Sequence, residues 1–90
     1  MTFNSLCLVV LKTLRNHPDA NSHDLFQLVA SDSKVFNARN QNELSERDIL
    51  ESFASLIDSG YINGHYLWET KSGPVFSIEG ITPEGLKLLD

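Results

Sequence analysis

Ile49, Leu50, Phe53, Leu56 and Ile57 recur at the spacing of an α-helix, and just beyond Gly60 the apolar period falls to two. That change of period constrains this 90-residue chain more than any other feature, because it runs an amphipathic helix straight into a hairpin. Ser45 and Asp48 have the spacing of a capping box at the start of the helix, with Asp in place of the usual Glu or Gln. Gly60 supplies the left-handed residue that ends it, and Tyr61 and Ile62 return the chain to the core. His65 to Thr70 and Val75 to Glu79 alternate as two strands, with Lys71 to Pro74 as the tip. If Thr70 faces Val75, then Leu67, Phe76 and Ile78 line the core side while Tyr66, Trp68, Ser77 and Glu79 face away. A slip of one residue exchanges the two faces.

Upstream, Phe3, Leu6, Cys7, Val10 and Leu14 share a stripe of a first helix, with Leu11 at its margin and Thr2 or Asn4 as cap. Leu8 and Val9 fall outside that stripe, which suggests a second contact for them. Pro18 breaks the pattern, and Asn21 or Ser22 caps a second helix with Leu25, Leu28 and Val29 on its narrow apolar face and Phe26 beside them. Residues 32–44 have no clear period and are rich in Asn, so a loop is expected there, with one turn pinned by Val35 and Phe36. At the other end Thr82 caps a last helix with Pro83 at its first position, and Ile81, Leu86 and Leu89 anchor it despite Gly85. No repeat or linker divides the chain, so residues 1–90 are expected to form one domain.

The apolar run Leu6 to Leu11 has no basic residue before it and is too short to span a bilayer, so it reads as a buried helix and not as a leader or membrane anchor. A single cysteine, Cys7, closes no internal disulfide, which makes the cytoplasm the expected compartment. The net charge of −5 opposes long-range attraction to phosphate backbones and anionic lipid.

Three helices, a two-stranded hairpin as wing and a C-terminal helix make an α+β chain that resembles winged-helix proteins over nearly its whole length. The stretches "LIDSGYINGHYL" and "ITPEGLKLLD" are similar in style to the YjcQ-like winged-helix proteins of bacteria and their phages, where a "GYI" exit from the third helix and an "IT..G...L" final helix recur. The resemblance implies the winged-helix fold and a regulatory or DNA-binding role. It carries over no catalytic residue and no cofactor.

In the usual winged-helix mode the third helix enters the major groove and offers donors to bases and phosphates. Here the arc opposite the apolar stripe holds Arg47, Asp48, Glu51, Ser55 and Asp58, an acidic face that repels a duplex. The candidate nucleic-acid contacts are Lys34 and Arg39 in the loop, Arg47 on the helix and Lys71 at the hairpin tip. Tyr66 and Trp68, together with Leu8 and Val9, are candidate protein-interface residues, either between two copies or toward another protein. The same two rings suit equally a place over the first or last helix of their own chain.

His17, Asp19, His23 and Asp24 cluster around one loop, but their spacing matches no zinc pattern and suits ordinary capping chemistry. Cys7 lies on an apolar stripe where thiols are inert, and no glycine-rich phosphate loop is present. The expectation is a non-enzymatic module that acts through protein contacts, with self-association as one form. The alternative is a DNA-binding regulator that touches phosphates through the hairpin tip and the loop before the third helix.

Overall fold

Thr2 caps the first helix, its side chain accepting from the Ser5 amide at 3.1 Å, and α1 (Phe3–Asn16) follows. A computed structural model describes all residues, Met1–Asp90. Leu6, Val10, Leu11 and Leu14 of α1 are buried, so Leu11 belongs to the centre of the stripe and not to its margin. Phe3 is 45% exposed and leaves the stripe it was expected to join. Asn21 caps α2 (Ser22–Ala30), accepting from the Asp24 amide at 2.8 Å, and Leu25 and Val29 are its buried residues.

The expected loop is replaced by a further helix, α3 (Ser33–Asn40). The Asp32 side chain caps it by accepting from the amides of Lys34 and Val35 at 2.9 and 3.3 Å. Only Val35 and Ala38 of α3 are buried, and Phe36, expected to help pin the segment, is exposed. Two apolar residues three positions apart are enough to hold a helix of two turns against its neighbours, yet too few to show a period. Asn42, the one non-glycine residue with positive φ at 59°, reverses the chain after α3.

Ser45 then caps α4 (Glu46–Asp58) in a complete capping box: the Ser45 amide donates to Asp48 Oδ2 at 2.8 Å and the Asp48 amide donates to Ser45 Oγ at 3.2 Å. Ile49, Phe53 and Leu56 are buried and Leu50 and Ile57 are half-buried, as the helical period requires. Gly60, at φ +80°, ends the helix, with the Tyr61 amide donating back to the Leu56 carbonyl at 2.9 Å. Four helices precede the hairpin where three were expected.

β1 (Ile62–Leu67) and β2 (Val75–Ile81) form an antiparallel pair, and its register departs from the expected one. Leu67 and not Thr70 faces Val75, a displacement of three residues along the first strand. An odd displacement inverts the face of β1, while Phe76 and Ile78 of β2 keep the core side expected of them. Tyr66 is therefore paired with Phe76, while Leu67 and Val75 are 65% and 51% exposed on the outer side. Leu67 does not belong to the core. The register shifts between Asn63 and Gly64, and a side chain at Gly64 would collide with the Ser77 carbonyl oxygen. The tip runs from Trp68 to Pro74, longer than the expected "KSGP", and turns at Gly73 with φ +92°.

The last helix, α5 (Pro83–Leu88), starts as the sequence suggests, with Thr82 as cap and Pro83 in the first turn. Thr82 Oγ1 donates to the Gly60 carbonyl at 2.7 Å, and the Thr82 amide donates to the Tyr61 carbonyl at 3.1 Å. These bonds place α5 beside the end of α4. Leu86 is exposed and does not anchor α5; Gly85 is buried against the Tyr61 carbonyl, with Ile81 and Leu89 packed on the core.

The core gathers Leu6, Val10, Leu11 and Leu14 with Leu25, Val29, Val35, Ile49, Phe53, Leu56 and Ile62. The fold is α+β, five helices and one two-stranded hairpin. No helix is long and apolar enough to cross a membrane.

Candidate functional site

The hairpin lays its aromatic face on α4. Phe76 meets Phe53 edge-on at 6.0 Å, Tyr66 stacks on Phe76 at 5.3 Å, and Trp68 meets Phe76 edge-on at 5.4 Å. Ser22 Oγ donates to the Phe76 carbonyl at 2.8 Å and ties the start of α2 to the same strand. Phe53 is thus the buried end of an aromatic row that reaches the surface at Tyr66 and Trp68.

Two charged residues of α4, Asp58 and Arg47, meet that row. The Tyr66 hydroxyl donates to the Asp58 carboxylate, 2.9 and 2.8 Å from its two oxygens. The hydrogen bond with Asp58, then desolvation and the nearby negative charge, holds the Tyr66 phenol above its ordinary range. The Arg47 guanidinium lies 4.6 Å from the centre of the Trp68 ring, and its Nε donates to Glu51 Oε1 at 3.2 Å. Arg39, at the end of α3, donates to Glu46 Oε1 at 3.5 Å. Asp48 is occupied by the capping box.

Glu51 and Asp58 are exposed on α4, as the orientation of its apolar stripe demands. Around Arg47, the face carries Glu46, Asp48, Glu51 and Asp58, so carboxylates dominate its charge.

The four candidate nucleic-acid contacts lie apart in their bonding. Arg39 and Arg47 each engage a carboxylate of α4. Lys34 lines an open groove with Lys12, between α1 and α3, and Lys71 lies in the hairpin tip, neither of them in an ion pair. Of the candidate interface residues, Tyr66 and Trp68 share the aromatic row, and the helix they cover is α4, not the first or last. Leu8 is exposed on α1 and Val9 packs partly on the core. His17, Asp19 and Asp24 line one open depression, but no three His, Cys, Asp or Glu side chains meet as a ligand set. Cys7 is half-buried, and burial pushes its thiol up.

Sequence reasoning missed the exposure of Leu67 and the inward turn of Tyr66, while it placed Phe76 and Ile78 on the core side where they are found. Alternation announces a strand without saying which half of it is wet; what decides for β1 is its pairing, which sets Tyr66 and not Glu69 opposite Phe76. Comparison with known proteins finds no family model that matches the chain, no similar curated protein and no similar solved structure.

Proposed function

We propose that the chain is a small winged-helix module that takes part in regulation through protein contacts and does no chemistry of its own. The order of α3, a short turn, α4, hairpin and α5 supports the winged-helix reading, since the helix before the wing is the one that such proteins present to a partner. One observation carries the functional part. The only cation on the outer face of α4, Arg47, is held by Glu51 and by the Trp68 ring, and the carboxylates around it leave a negative surface. A duplex needs free donors at that place, and its phosphates repel what is there. A protein surface rich in lysine and arginine is the complementary partner for this face.

Lys34 and Lys71, both exposed and unpaired, support the alternative of phosphate contacts through the loop side and the hairpin tip. Retention of the purified chain on random-sequence duplex DNA at low salt separates the two readings. Passage without retention is the expected result. Retention that weakens steeply as salt is added, and that fails in Lys34→Glu or Lys71→Glu, replaces the proposal by the alternative.

A further inference from the structure

The start of α1, the end of α4 and α5 enclose a groove of about 410 Å³. Phe3, Cys7 and Leu8 form one wall, Leu56 and Tyr61 the floor, and Leu88 the other wall. Phe3, Leu8 and Leu88 are 45, 38 and 45% exposed. A single exposed leucine is ordinary, but three large apolar side chains that border one groove form a patch of the kind that marks an interface. We infer that this groove is the contact between two copies of the chain, paired about a twofold axis with Phe3 of each copy seated in the groove of the other. The inference rests on the reading of the chain as a protein-contact module and gives it a surface and a partner.

Charge selects the occupant. None of the nine residues that line the groove is charged, in a chain with a net charge of −5. A basic partner gains nothing electrostatically at a neutral groove and is drawn to α4 instead. Two acidic copies repel each other over most of their surfaces and meet at least cost where both are neutral. A twofold interface also requires that one patch complement itself. This one does, because the cavity and the exposed ring of Phe3 lie side by side. Asn4, Ser55 and Ser59 add hydrogen-bonding groups around the apolar centre, the arrangement expected of an interface rim. A lasting dimer buries about 800 Å² on each partner, roughly a seventh of the 5566 Å² surface here. The groove and its rim form a smaller patch, which makes the dimer weak and dependent on concentration.

Sedimentation equilibrium of the full chain, from low micromolar to millimolar concentration, tests the pairing. The mass is expected to rise from one chain toward two. Leu8→Glu and Leu88→Glu, at exposed positions that leave the core intact, are each expected to weaken the dimer at least tenfold while far-ultraviolet circular dichroism remains unchanged. Leu67→Glu, on the outer face of the hairpin, is expected to follow the wild-type curve. Cys7 provides a local report: its alkylation by iodoacetamide slows several-fold at high protein concentration in the wild type and not in Leu8→Glu. A wild-type mass of one chain throughout overturns the inference, as does a dimer that Leu67→Glu abolishes and Leu8→Glu leaves intact. Either result leaves the protein-contact reading standing with a different partner, whereas retention on duplex DNA removes that reading whatever the mass.

Discussion

Tyr66 stacks on Phe76 with ring centroids 5.3 Å apart and planes inclined by 17°, and the two residues are direct partners across the hairpin. That pairing decides which side of the hairpin is dry. With Phe76 on Phe53, it turns Tyr66 inward and sends Leu67 to solvent beside Val75. It also gives Trp68 and Arg47 their contact and Tyr66 its bond to Asp58.

Phe76→Ala is therefore expected to destabilise the fold by about 2 to 4 kcal/mol, since it removes the ring that joins Phe53 to Tyr66 and Trp68. Leu67→Ala is expected to change stability by about 0.5 kcal/mol or less. Urea unfolding of the two variants measures the difference. A larger loss in Leu67→Ala than in Phe76→Ala requires the opposite register, with Leu67 inside.

Gly85→Ala runs against helix propensity. Alanine is better than glycine in a helix by about 1 kcal/mol, but a Cβ here would collide with the Tyr61 carbonyl oxygen and lie 2.8 Å from Ile81 Cγ1. The backbone oxygen cannot step aside without moving the bond between Thr82 and Tyr61 that docks α5. The expected result is a net loss of about 1 to 3 kcal/mol, as for other overpacked sites, read from thermal or urea unfolding. A gain in stability would show that α5 sits farther from Tyr61 than described.

Much of α4 was legible because several signals agreed: a cap at Ser45, a stop at Gly60, and between them apolar residues at one spacing. The helix α3 gave no such agreement. Its cap, Asp32, is one polar residue among many, its two buried residues fall short of a period, and Phe36 points outward. The hairpin was legible as strands, and the face of β2 with it, but not the face of β1, since both Tyr66 and Leu67 are acceptable core residues by type. The cross-strand pairing of Tyr66 with Phe76 and the shift at Gly64 choose between them. The acidic surface of α4 followed from its apolar stripe alone. Its internal bonds to Tyr66 and Trp68 could be read only once the register was known.

The Tyr66 phenol provides a pH test of the same contact. Its hydrogen bond to Asp58, with desolvation and the adjacent charge, raises its pKa in the folded chain above the unfolded value of about 10. A raised acid is stabilised in its neutral form. The contribution is therefore fully present below the unfolded value and is lost as pH rises through the folded one. Tyrosinate absorbance should show one tyrosine that ionises late in the wild type and moves down toward the ordinary range in Asp58→Asn. An unchanged titration would break the link between Tyr66 and Asp58. Tyr66→Phe should abolish the late step and lessen the fall of stability at high pH.

The existence of α3 can be tested apart from the rest of the fold. The Phe36 amide donates to the Asp32 carbonyl at 2.8 Å and the Gln41 amide to the Asn37 carbonyl at 3.1 Å, so both should exchange with solvent more slowly than loop amides. With only Val35 and Ala38 buried, the helix has little to prevent it from opening alone, and its protection should fall well below that of α4. Asp32→Ala removes the acceptor for the Lys34 and Val35 amides and should cost about 1 kcal/mol, as other N-caps do. Because the helix opens locally, that loss should appear as a roughly fivefold faster exchange at Phe36 and Asn37. The amides of Phe53 and Leu56 in α4 should keep their wild-type rates at conditions where exchange proceeds by local opening. If residues 33–40 exchange at loop rates in the wild type and Asp32→Ala changes nothing, the segment is a loop and the turn before α4 is not built on a helix.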